Sequence, residues 1–305
     1  MKRIFYIALL ALLALPLSAR KKPEPVTQFV AGHIVYHVLP TAQPEVEVRA
    51  TMPDMTPYAG DILLPETVAF KDTHYAVVAI ADTAFRHCAE LYSVALPRTV
   101  RSVGAYAFAN CQQLRRITFP PIMYTIQLGA FENCSALDSV TLPAGLRVLQ
   151  LRVFNRCSSL HHISLPASLQ QIGPSCFAYC TQLDSLALPA GLLSIGESAF
   201  LSCTALHTVL FPAKLNRIDK MAFMDCSALR QADLPKTLRT LGESAFEGCK
   251  NIESATLGES LVEMGDFVFR NCYRLQRLDI HPKCRSVMRK TQFMGCSLLQ
   301  IYVQD

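Results

Sequence analysis

The 305-residue chain has no tryptophan, and only 17% of its residues are charged. With 51% hydrophobic residues, so little charge excludes a disordered chain and supplies enough apolar area for a large core. It contains no C-x-x-C pair, no glycine-rich phosphate loop, no G-x-S-x-G elbow and no H-E-x-x-H. The short signatures of zinc ribbons, nucleotide-phosphate binding, α/β-hydrolases and metalloproteases are thus missing. The formal charge is +5. The basic residues form no stripe interleaved with aromatics, so a nucleic-acid groove is not expected.

A long apolar run occurs at the start, MKRIFYIALLALLALPLSARKK, where Lys2 and Arg3 precede Ile4 to Leu17 and small residues follow at Ser18 and Ala19. This is the layout of a cleavable export signal. The run is shorter than the about 20 residues a spanning helix needs. Residues 1–19 are therefore set aside, and a periplasmic, cell-surface or secreted location is expected. The first cysteine is Cys88, which leaves no N-terminal cysteine for a lipid. No anchor or partner domain is expected after Asp305.

What the sequence has in abundance is repetition. Phenylalanines recur every 23 residues from Phe85 through Phe108, Phe131 and onward to Phe269, and then at Phe293. Cysteines follow three residues behind, from Cys88 to Cys296, and account for ten of the twelve. Each unit continues as L-x-x-V-x-L-P, as in Leu183 to Pro189. Its apolar alternation marks a strand buried on one face, and proline ends it by removing an N–H donor. A second apolar pair follows, such as Leu192 and Ile195, then often glycine, as at Gly173, Gly196, Gly242 and Gly265. These glycines are read as turn formers, and the E-S-A-F run before the cysteine as a single helical or 3-10 turn.

A 23-residue unit cannot bury its own apolar face, so neighbours must stack into a solenoid with a parallel sheet. Crossovers between parallel strands are right-handed. Near the end, Gly258 replaces the strand-ending proline and the last phenylalanine comes after 24 residues. Leu298 is expected to recover the 23-residue spacing.

The unit A-F-x-x-C-x-x-L-x-x-V-x-L-P-x-x-L-x-x-I-G resembles the 23-residue leucine-rich repeat of BspA-type, or Treponema-type, bacterial surface proteins over residues 83–305. The upstream stretch, from FVAGHIVYHVLP to Phe85, resembles that family's N-terminal cap. The resulting expectation is an α/β, β-rich, right-handed leucine-rich-repeat solenoid of about ten coils, its parallel β-sheet on the concave face. A small β cap at 20–82 includes a degenerate coil with about nine extra residues. The resemblance further implies adhesion, with a host extracellular-matrix glycoprotein as partner.

Twelve cysteines in an exported chain raise the question of disulfides. Equivalent cysteines in stacked coils would lie about 4.8 Å apart with parallel Cβ vectors, which suits a disulfide dihedral near 90° poorly. Cys176 replaces alanines such as Ala199, and Cys284 falls where Leu238 and Leu261 sit, so all twelve are expected as buried thiols packed as small hydrophobes. Cys203 and His207 are close in sequence, but a core-facing thiol points away from a solvated imidazole, which argues against a nucleophile–base pair. No enzyme, cofactor or metal site is expected.

What remains is the concave face formed by the third and fifth strand positions. It is mostly small and hydroxylic, a composition that ordinary solvated strands also favour. Arg116, His162, Thr208, Arg277, Asp279 and Tyr302 stand out as candidate partner-binding residues, because large polar and aromatic side chains dominate interfaces. A protein or glycan ligand is expected, and a structural scaffold of the cell envelope is the alternative.

Overall fold

The computed structural model describes residues 26–49 and 57–304. The segment read as an export signal and the first residues of the expected cap lie outside that range. The chain forms a solenoid of stacked coils joined by parallel ladders, with very little helix.

The N-terminal residues build an edge of antiparallel strands. Strand β1 (Gln28–Ala31) pairs with β2 (Ile34–Val38), which pairs with β3 (Glu45–Arg49). After β4 (Gly60–Leu63), β5 (Thr67–Phe70) and β6 (Thr73–Ile80) form a hairpin. Strand β6 then pairs in parallel with both β3 and β8 (Ser102–Val103). The sheet that starts in the cap therefore runs unbroken into the repeats. Strand β4 pairs in parallel with β7 (Leu91–Ala95), placing Leu63 opposite Ala95. That separation is nine residues longer than the 23-residue period, and the β5–β6 hairpin takes up the surplus.

Each following coil contributes to three ladders. The L-x-x-V-x-L segments form the first, as where Ser139–Thr141 meets His162–Ser164 and Ser185–Ala187 meets Thr208–Leu210. The second is built from two-residue strands, such as Gln171–Ile172 on Ser194–Ile195 and Thr240–Leu241 on Glu263–Met264.

The third ladder lies around the phenylalanine, and it corrects the expectation of a helical turn there. The N–H groups of Ser198, Phe200 and Ser202 donate to the carbonyls of Lys220, Ala222 and Met224 in the next coil, at 2.8–2.9 Å. A helix would aim those donors back along its own chain. Within the coil only tight turns close, with Leu201 N–H donating to Ser198 and Cys203 N–H to Phe200. To aim the donors outward, the residues two before and two after the phenylalanine adopt positive φ, +54° at Ser198 and +58° at Ser202. Short 3-10 helices do occur in the last coil, at Pro282–Val287 and Lys290–Phe293.

The repeat glycines serve a different purpose from the one their pattern suggests. Gly173, Gly196, Gly242 and Gly265 do not have positive φ. A Cβ on Gly242 would instead lie 2.4 Å from the backbone of Asp219 and Lys220, and one on Gly265 equally close to Glu243. Glycine is required there because the preceding coil passes so near.

The core is a column. Phe85 through Phe269 are fully buried, and successive rings stack with centroids 5.0–5.6 Å apart. Beside them run the cysteines, all twelve free, eleven buried and Cys296 partly so. From Cys111 to Cys272 each repeat thiol donates to the carbonyl of the phenylalanine one coil earlier, at 2.9–3.2 Å. Burial pushes these thiols up, Cys157 to about 12, because a thiolate loses its hydration there.

Leu298 does not take the place expected of it. Its side chain is exposed, while Leu299 packs against the core and its N–H donates to Cys296 as Leu275 does to Cys272. The one-residue offset introduced before Phe293 persists through Leu299. It is absorbed by Gln300, which again pairs with Arg277.

Candidate functional site

The first ladder sets one row of side chains into the core and leaves the alternate rows in solvent. In β9 (Arg116–Thr118), Arg116 and Thr118 are exposed around buried Ile117. The same order holds for His162, Ile163 and Ser164, and for Thr208, Val209 and Leu210. Exposed positions carry no packing duty, so their identity is free to vary.

Across coils these residues form rows. Arg115, Asp138, His161, Asp184, His207, Arg230 and Glu253 follow one another at 23-residue intervals. His161 Nδ1 lies 3.0 Å from Asp138 Oδ1.

Three depressions interrupt the face. The first, about 570 Å³, is lined by Asp61, Glu90, Tyr92, Ser93, Arg115 and Arg116. A second, about 490 Å³, shares Arg116 and continues toward the proline turns over Phe119, Pro121, Leu142 and Pro143. The third, about 440 Å³, is lined by His207, Thr208, Leu210, Phe211, Arg230 and Asp233, among others. Leu210 is 68% exposed there.

The residues singled out from sequence fall into three groups. Arg116 and Thr208 line depressions. His162 is exposed on a strand between them. Arg277, Asp279 and Tyr302 are engaged with one another near the C-terminal end. Arg277 donates to both oxygens of Asp279, at 2.6 and 2.9 Å, and its guanidinium lies 4.8 Å from the centre of the Tyr302 ring. The Arg277 hydrogen bonds hold the Asp279 carboxyl below its usual range. Asp279 is itself buried, so of this trio Arg277 and Tyr302 face solvent.

Sequence reasoning passed over Asp61, Tyr92, Arg115 and Leu210 as site residues. It also passed over the signal that marks two of the depressions. In I-T-F-P and V-L-F-P, Phe119 and Phe211 replace the leucine before the proline. Each ring meets the core column edge-on, at Phe131 and Phe223 respectively.

Cys203 is buried and His207 exposed, so these two do not form a nucleophile–base pair. Among the described residues no three His, Cys, Asp or Glu side chains converge on one point as metal ligands. No helix among them is long and apolar enough to cross a membrane.

Comparison with known proteins agrees with this architecture. The structure is similar to a leucine-rich repeat protein from Bacteroides ovatus, at a TM-score of 0.67 and 26% identity over 90% of this chain and 76% of that one. It shares its fold with a leucine-rich cell surface protein from Faecalibacterium prausnitzii, at a TM-score of 0.50 and 21% identity over 92% and 96% of the two chains. The pneumococcal vaccine antigen PcpA gives a TM-score of 0.52 at 17% identity over 91% and 93%. No curated protein matches the sequence. The model of the BspA type leucine rich repeat region matches residues 78–207 and 193–305, in six copies. The chain therefore belongs to the BspA-type leucine-rich-repeat family.

Proposed function

We propose that the protein is a non-enzymatic binding module of the bacterial envelope, exported to the periplasm, the cell surface or the medium, which recognises a protein or glycan partner through its strand face. The observation that carries this reading is the strand alternation. The core rows repeat nearly unchanged, while the solvent rows differ from coil to coil and enclose the three depressions. An extended surface of variable side chains on an invariant frame is what solenoids offer to long partners. Two relatives of the same fold, described as a cell surface protein and a vaccine antigen, support the location. A host matrix glycoprotein is the partner that family membership favours.

The test is capture of partners by the immobilised chain from arrays of matrix proteins, glycans and bacterial surface extracts. The captured partner is then assayed against a combined Arg116→Ala, His162→Ala, Thr208→Ala, Leu210→Ala variant. Binding weakened by at least about tenfold, with the circular dichroism spectrum unchanged, is the expected result. Undiminished binding would place recognition on another surface.

A further inference from the structure

The two depressions that meet at Arg116 are chemically ordered along the solenoid axis. Asp61 lies on β4, Ser93 opposite it on β7, and Arg116 opposite Ser93 on β9. Two strand spacings therefore separate the carboxylate from the guanidinium, about 10 Å. Ser93 lies between them and donates to Asp61 Oδ1 at 2.5 Å. Glu90 lies on the acidic side of the same depression and Arg115 on the basic side. Among the described residues neither Arg115 nor Arg116 takes part in an ion pair, as is true of several other exposed arginines, among them Arg147, Arg230 and Arg239. Beyond Arg116 the adjoining depression is lined by Pro121, Leu142 and Pro143, with the hydroxyls of Thr118, Ser139 and Thr141 beside them.

Resting on the binding role above, we propose that this site takes an extended peptide segment in a polyproline-II conformation, bearing a cation, then an anion three residues along, then an apolar side chain. The polyproline-II helix has three residues per turn and a rise of about 3.1 Å, so side chains three apart share a face and lie about 9 Å from each other. That spacing matches the distance from Asp61 to Arg116. The cation meets Asp61 and Glu90, and the anion meets Arg115 and Arg116. The exposed ring of Tyr92 flanks both, and the apolar residue rests between Pro121 and Pro143. A saccharide supplies hydroxyls and charge but no side chain for this third compartment, which is why the chemistry favours a peptide.

The probes are fluorescein-labelled Lys-Pro-Pro-Glu-Leu, its reverse Leu-Glu-Pro-Pro-Lys to allow either chain direction, and Lys-Pro-Pro-Lys-Leu, whose charges are mismatched at one end in either direction. Fluorescence polarisation with the whole chain at low salt is expected to show one of the first two binding at least about tenfold more tightly than the mismatched peptide. Arg116→Glu should invert that preference, with thermal melting as the control for folding. Equal binding of matched and mismatched peptides, or no binding of either at millimolar concentration, would overturn the inference. So would binding of an acidic oligosaccharide that Arg116→Glu abolishes. Each of these leaves the general binding role standing, because that role fails only if the array screen captures nothing.

Discussion

The thiol of Cys203 donates to the backbone carbonyl of Phe177, 3.1 Å away and one coil earlier. That carbonyl already accepts the N–H of Cys180 within its own coil. Cysteine at this position is therefore more than a small hydrophobe. It satisfies a second lone pair on a buried oxygen while remaining nearly apolar itself. Alanine would remove the bond and serine would bring a more strongly hydrated group into the core. Either substitution at Cys203 is expected to cost about 1–3 kcal/mol by urea denaturation.

Stability should fall in alkali. Burial raises the pKa of the repeat thiols, to about 12 at Cys157 and about 11 at Cys296. The unfolded chain releases its thiol protons near pH 8.5. Below that pH both states hold the protons and stability is unaffected. Above it the unfolded state binds fewer protons than the native state, so each buried thiol lowers stability by up to about 1.4 kcal/mol per pH unit until its folded pKa is reached. Urea midpoints measured from pH 7 to pH 10 under reducing conditions should hold level to about pH 8 and then drop steeply. A flat profile would mean the thiols are solvated.

Phe200 stacks on Phe177 and Phe223 with centroids 5.2 and 5.1 Å away. Truncation to alanine opens a cavity in the middle of the column and should cost about 3–5 kcal/mol, against about 1–2 for leucine. Because each coil contacts only its neighbours, hydrogen exchange should rise first in the coils flanking residue 200.

The left-handed positions give a change of opposite sign. Met221 holds φ at +54° two residues before Phe223, a conformation that costs a side-chain-bearing residue about 1–2 kcal/mol. Met221→Gly should stabilise the fold by about 0.5–1 kcal/mol, part of the relief being offset by the entropy glycine loses on folding. Gly242→Ala should act the other way, by about 1–3 kcal/mol, because the backbone of Asp219 and Lys220 must shift. Gly191→Ala, whose Cβ would lie 3.3 Å from the Ala167 carbonyl, needs a smaller shift and should cost less than Gly242→Ala. Thermal melts of the three variants rank them directly.

Much of this fold was legible in the sequence, and what was not had a common cause. Period, strand positions and core rows follow from local alternation, so Ile117, Val140 and Ile163 could be assigned inward without coordinates. The ladder around phenylalanine could not. Its left-handed residues include Thr83, Tyr106, Arg152 and Met221, none a left-handed former, held there by bonds to a coil 22 residues away. Asn110, Asn133 and Asn271 two places after the phenylalanine were the available hint. The glycines misled for the same reason, since what they make room for is another coil. On the strand face, alternation placed Arg116 and Thr208 in solvent, but whether a neighbour pairs with a side chain, as Asp138 does with His161 one coil later, is decided across the stack.

From Thr83 to Gly248 every backbone bond in the phenylalanine ladder links a residue to one 22 positions later, and the same bond recurs from one coil to the next; only the bonds of Phe269 and Asn271 to the last coil span 23. Excising or duplicating one whole unit therefore reconnects equivalent donors to equivalent acceptors. The length of the protein is for this reason a heritable quantity that changes in steps of one strand spacing, about 4.8 Å. Recombination within the gene can lengthen or shorten its reach without first having to invent a new way of folding.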